Sequence, residues 1–326
     1  MRDEPFSAPS AAEPVAAGAV AAEPLAVPAG RQGIGLGQLL AFAAVYLIWG
    51  STYLGIRVAV HSLPPFLLAG ARSFSAGAVL LVVLRLRGAR APTWLEWRRA
   101  AIAGTLLLSV GNGLVTWAEG YVPSNLAALS IAAVPSYVAL LDWLRPGGQR
   151  PARRVLLGVL LGALGMLLLL RPDPHALDAQ RWLPRLALVL AGAGWALGSL
   201  YGRYQKLYPN AAVVGAQEML AGGGVLLLVS LARGELVHFE PSAVSAQSWL
   251  ALAYLTVFGS LLAFSAFSWL VGVTTPSRLS TTAYVNPLVA VVLGWLVLDE
   301  PLQPVTLGGG LLIVCAVLVM TLRRPA

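Results

Sequence analysis

Of the 326 residues, 58% are hydrophobic and only 11% are charged, whereas soluble domains carry about a quarter charged residues. That balance makes lipid the expected solvent. The net charge of +8 does not point to nucleic acid, because no basic helix or interleaved aromatic face gathers it. The single cysteine, Cys315, sits in an apolar run with no partner for a disulfide or metal site.

Residues 1–35, rich in Ala, Pro and Glu, have no apolar stretch long enough to bury and read as a disordered cytoplasmic tail. A secretory signal is not expected, since the first long apolar run begins near Leu36. A membrane-crossing helix needs about 20 mostly apolar residues, and ten segments meet that test. Those of the first half are Leu36–Val60, Pro65–Leu86, Ala100–Ala118, Pro123–Leu144 and Val155–Leu170. Those of the second are Trp182–Tyr201, Ala211–Leu231, Trp249–Val271, Pro276–Leu298 and Val305–Leu322. Fourteen basic residues, among them Arg85, Arg87, Arg98, Arg145, Arg203 and Lys206, collect in the loops on one side, against Arg171, Arg181, Arg185 and Arg233 on the other. Cationic loops stay cytoplasmic, so both termini are expected in the cytoplasm and the chain in the plasma (inner) membrane.

The chain also repeats itself. A shift of 146 residues places Trp49 on Trp195, Arg57 on Arg203 and Arg72 on Glu218; a shift of 152 places Trp117 on Trp269, Pro135 on Pro287, Trp143 on Trp295 and Gly158 on Gly310. The two units are 36–171 and 182–323. Five spans per unit is an odd number, so the second copy is expected upside down: an all-α membrane fold of ten helices in two inverted five-helix repeats.

The runs IWGSTYLGIR, YVPSNLAALSIAAVPSYVALLDWL and TTPSRLSTTAYVNPLVAVVLGWLVLDEPL resemble the two EamA repeats of the drug/metabolite transporter superfamily, from Leu36 to Leu322. The first half departs from the pattern: it reads WLRPGGQRP where the second reads LDEPL, and so lacks the acidic residue. The resemblance implies a carrier that exports or exchanges small metabolites, amino acids or drugs.

Candidate site residues follow from what lipid does not tolerate. Pro135 and Pro287 fall in mid-span, where each removes a donor and strands a carbonyl four residues back, at Ile131 and Ala283. Such helix kinks could line a polar cavity, with Ser130 and Ser136 beside one and Thr282 and Asn286 beside the other; packing alone could also satisfy them. Tyr46, Trp49 and Tyr53 form an aromatic stripe ending at Arg57, partly repeated by Trp195 and Ser199. A stripe of this kind suits a flat or cationic solute, or an interfacial belt. An ionisable group within the membrane costs about 3 kcal/mol. Arg72 could therefore bind an anionic group of the solute, and Glu218 could carry a proton or attract an amine; both could equally be buried tethers. Glu119 shares a face with Asn112 and Thr116 at the outer end of its span, where snorkelling and a proton site are both open. Asp142 and Arg145 read as an ion pair at headgroup level, and Gly158, Gly162, Gly165 and Gly308–Gly310 as helix-packing positions.

A secondary transporter is the leading reading. A channel would show a polar face along several helices. A membrane-embedded enzyme would need a convergent cluster, but His61, His175 and His238 all fall in loops. No cofactor and no metal are expected. The expected partners are a small-molecule solute and the bilayer, with no nucleic acid; ten spans can enclose a cavity alone, and a homodimer remains the alternative.

Overall fold

A computed structural model describes residues 35–148, 150–170, 179–205, 207–274, 276–279 and 281–321. The tail before residue 35, and Arg171, His175, Lys206, Arg323 and Arg324, lie outside the described residues. Among the described residues, ten apolar helices carry the fold: α1 (Leu36–Ala59), α2 (Pro65–Leu86), α3 (Trp94–Ala118), α4 (Ser124–Leu144), α5 (Arg153–Leu170), α6 (Ala179–Tyr204), α7 (Ala211–Ala232), α8 (Ala246–Leu270), α9 (Thr282–Leu298) and α10 (Pro304–Thr321). The first eight are long and apolar enough to cross a membrane; the last two are shorter apolar helices. The 17 residues of α9 reach about 26 Å at 1.5 Å each, near the lower limit for a span. No strand occurs among the described residues.

Local chemistry sets the helix edges. Thr93 caps α3 by accepting from the Glu96 amide at 3.3 Å, while the Glu96 carboxylate accepts from the Thr93 amide at 2.7 Å. This capping box starts the helix at Trp94 rather than Ala100, ahead of the apolar run, because two orphan amides find acceptors there. Thr93→Ala is expected to lower stability by about 1 kcal/mol, read as a lower melting temperature of the purified protein in detergent.

The two prolines behave differently. The helix of α4 breaks between Ile131 and Val134, with Pro135 in the first turn of its second segment. Through Pro287, by contrast, α9 runs unbroken, and in the second half the interruption comes earlier, between a short helix at Pro276–Leu279 and Thr282. There the hydroxyl of Thr282 donates to the Leu279 carbonyl at 2.9 Å, occupying an acceptor at the end of the short helix.

Two helices share an irregularity the spacing did not suggest. Eight residues of α3, Thr105–Asn112, and eight of α8, Leu255–Leu262, wind as π-helix 150 residues apart. Packing repeats in the same way. Helix α2 lies along α7 and α5 along α10; α1 packs on α8 and α9, as α6 packs on α3 and α4. The α2 and α7 backbones meet at glycine: a Cβ on Gly223 would lie 2.5 Å from the Phe74 nitrogen, and one on Gly77 2.8 Å from the Leu220 nitrogen. In a membrane such close approach supplies the dispersion contact that holds helices together.

Candidate functional site

The first half of the stripe on α1 faces the second half of the chain. Trp49 donates its indole N–H to the Gly259 carbonyl in the π segment of α8, at 3.1 Å, and its ring lies 5.0 Å from that of Phe267. Tyr46 shares a hydrogen bond with Thr281. The equivalent tryptophan makes the reciprocal contact: Trp195 on α6 lies against Gly111 in the π segment of α3, so closely that a Cβ there would sit 2.5 Å from the indole. Ser199 does not follow the stripe inward; it is exposed on α6.

Arg57 and Tyr53 are turned into the bundle rather than out to a lipid belt. Tyr53 packs against the cluster of Val115, Ala118, Val122 and Leu188, and Arg57 donates to the main-chain carbonyl of Glu119. Glu119 is 0% exposed, and neither carboxyl oxygen has a hydrogen-bond partner in the structure. A snorkelling side chain would reach headgroups, so this burial removes the interfacial reading. The charges of Glu300, Arg57 and Arg72 all act on it. Arg72, from α2, donates through Nε to the Ser260 hydroxyl at 3.1 Å in the π segment of α8.

The remaining polar candidates are mostly bound to their own helices. Thr116 donates to the Asn112 carbonyl at 2.8 Å, and Ser130 to the Leu126 carbonyl at 2.8 Å. The side-chain oxygen of Asn286 is buried without a hydrogen bond, which leaves it free to accept from a solute or water.

Glu218 stands apart from this group. It does not pair with Arg72 but lines a cavity of about 320 Å3 between α7 and α8, capped by the loop residues Leu207, Tyr208 and Pro209. Phe264, Phe267 and Ser268 form the wall across from it. None of these wall residues was singled out in the sequence. The available signal was Phe264 and Phe267 three apart on one face of α8, with Gly215 three before Glu218 on α7.

The opposite, arginine-poor end is closed by bonds that join the halves. The Glu300 carboxylate accepts from the amides of Ser124 and Asn125 at 2.6 and 3.0 Å and from the Ser124 hydroxyl at 3.0 Å, capping α4. Glu235 does the same for α2 through the Leu67 amide at 2.9 Å. Ser62 donates to Ser248 at 2.8 Å and accepts from the Ser245 amide at 3.1 Å. At the other end Asp142 accepts from Arg145 and Tyr204, each at 2.7 Å, the first being the ion pair expected from the sequence.

Comparison with known proteins adds to this geometry. The profile of the EamA-like transporter family matches residues 35–171 and 183–322. The chain is 38% identical over 285 residues to the uncharacterized inner membrane transporter YedA of Escherichia coli K12, covering 87% of this chain and 90% of that one. To the uncharacterized transporter YoaV of Bacillus subtilis it is 24% identical over 289 residues, covering 87% and 96%. A solved crystal structure 22% identical superposes with a TM-score of 0.57 over 87% of this chain and 96% of its own, and so shares the fold. Two matched repeats and a relative aligned along most of both chains place this protein in the EamA-like transporter family.

Proposed function

We propose that the protein is a secondary transporter that exports or exchanges a small metabolite, amino acid or drug across the plasma (inner) membrane. It does so by alternating access between two five-helix halves inserted in opposite orientations, with both termini in the cytoplasm. The observation that carries this reading is the reciprocal packing of equivalent elements. Each half sets its first-helix tryptophan on a glycine in the π segment of the other half, and α2 lies on α7 as α5 lies on α10. Such exchangeable contacts permit two packings of similar energy, which rocking of one half against the other requires.

Closure of the arginine-poor end, together with a cavity beside the α6–α7 loop, supports an inward-facing arrangement. In it Glu119 waits dry at the closed end, where it serves as the group that exchanges a proton or an ion pair when that end opens. Tyr46, Trp49, Arg72, Asn112, Thr116, Ser130, Trp195, Thr282 and Asn286 are proposed to border the solute path.

A screen for solutes whose toxicity falls on overexpression and rises on deletion would name the cargo. Proteoliposomes should then show saturable counterflow of it, and non-saturating flux would instead make the protein a channel. Glu119→Gln and Asn286→Ala are expected to cut counterflow several-fold with melting temperatures little changed; undiminished flux would take these residues out of the mechanism.

A further inference from the structure

The α7–α8 cavity carries a more specific message about its occupant. Glu218 lies half-buried on α7, seven residues in from the helix start at Ala211. Among the described residues, no ion pair is made to its carboxylate. A carboxylate withdrawn from water without a counter-ion is costly unless it takes up a proton or something cationic joins it.

The cation that lies on the rim residue Tyr208 is engaged elsewhere. Arg90 makes a two-armed salt bridge with Glu96, and its guanidinium lies 4.4 Å from the centre of the Tyr208 ring. That leaves the rings of Phe264 and Phe267 as the aromatic wall facing the cavity. The wall is also built to fit. The tip of the Phe264 ring reaches α7 because residue 215 is glycine: a Cβ there would be 1.8 Å from the ring's Cζ. A cavity of about 320 Å3 is at the small end of ligand pockets. It therefore suits a solute of few heavy atoms, with an apolar body against the phenyl rings and one positive charge at the carboxylate.

We infer that this cavity is a binding site for a small amphipathic organic ammonium ion, held by Glu218 and the faces of Phe264 and Phe267. An aromatic face attracts a cation through its quadrupole, and the carboxylate supplies the charge that an uncharged analogue cannot use. An anionic solute would meet Glu218 as repulsion, so the site selects by sign as well as by size. The assignment rests on the transporter reading only for its consequence, that the bound cation is cargo; binding itself does not depend on it.

The test is calorimetric titration of the purified full-length protein in neutral detergent with three probes. Benzyltrimethylammonium is the cation, neopentylbenzene is its neutral isostere with carbon in place of nitrogen, and phenylacetate is the anion. The cation should bind saturably and at least about tenfold tighter than either of the others. Glu218→Gln should lose that preference, Glu218→Asp should keep part of it, and Phe267→Leu should weaken the cation alone, each with a melting curve showing folded protein.

Equal binding of cation and isostere, no cation binding, or full affinity in folded Glu218→Gln would overturn the assignment. Proteoliposomes separate the two claims. Cation binding without flux of any solute would sink the transporter reading and leave the site standing. Carrier-type flux of some other solute, with no cation binding, would do the reverse.

Discussion

Replacing Glu300 with alanine is expected to destabilise the protein by about 3 kcal/mol. Glu300 is 7% exposed and provides the acceptors for the first two amides of α4 and for the Ser124 hydroxyl. The helix positive end and the carboxylate neutralise each other in a site that water does not reach, so removing the acid leaves orphan donors in a medium that cannot satisfy them.

The backbone is arranged for this purpose. Asp299 takes the left-handed conformation at φ 51°, which short polar residues tolerate better than others. The turn lets the Glu300 amide close on the Gly294 carbonyl at 3.1 Å. Gly294 is part of the same lock, because a Cβ there would lie 2.5 Å from a Glu300 carboxyl oxygen and 3.0 Å from the Ser124 hydroxyl. Glu300→Gln, which keeps one acceptor, should lose roughly half as much, and Gly294→Ala should lose stability in the same direction by displacing the carboxylate. Thermal melting in detergent ranks the three. A Glu300→Ala protein as stable as the parent would mean that water, not the carboxylate, caps α4.

The ten apolar segments were legible because lipid makes a simple demand on composition, and their edges fall within a few residues of the helices seen. There are two exceptions: α9 starts six residues late, after the break that follows the short helix at Pro276–Leu279, and α3 starts six residues early because Thr93 and Glu96 satisfy amides by hydrogen bonding, which an apolar count does not register. The π segments were invisible for a related reason: an extra residue per turn is a change of winding, and it leaves no periodic mark in eight mostly apolar residues.

The site was legible only residue by residue. Sequence spacing singled out Glu218, but its neighbours Phe264 and Phe267 come from another helix, and a pairing across roughly 50 positions has no local signature. Glu119 was ambiguous between surface and interior because its position at a span end fits both. Its full burial and the bond from Arg57 to its main-chain carbonyl, features made only in three dimensions, decide it. The exposed Ser199 illustrates the converse: repeat symmetry fixed its place on α6 but not the direction it faces.

Gly165→Leu is expected to cost about 3 kcal/mol and to act on stability without changing which solute is carried. Helices α5 and α10 cross at a pair of reciprocal glycines. A Cβ on Gly165 would lie 2.7 Å from the Gly309 carbonyl oxygen, and one on Gly309 would lie 3.0 Å from the Gly165 carbonyl oxygen. Both obstacles are backbone, so no rotamer change relieves them and the helices must separate, losing the dispersion contact on which association in lipid depends. Gly309→Leu should behave alike.

One position before Gly309 the sign reverses. A Cβ on Gly308 would meet nothing within 4 Å, so Gly308→Ala relieves the entropy cost of a helical glycine and should stabilise by about 0.5–1 kcal/mol. Neither α5 nor α10 lines the cavity around Glu218. Cation binding per folded molecule should therefore be unchanged in all three variants while their melting temperatures diverge. A Gly165→Leu protein that melts with the parent would show that the two helices do not need this close approach, and a Gly308→Ala protein that melts lower would place a neighbour against that face.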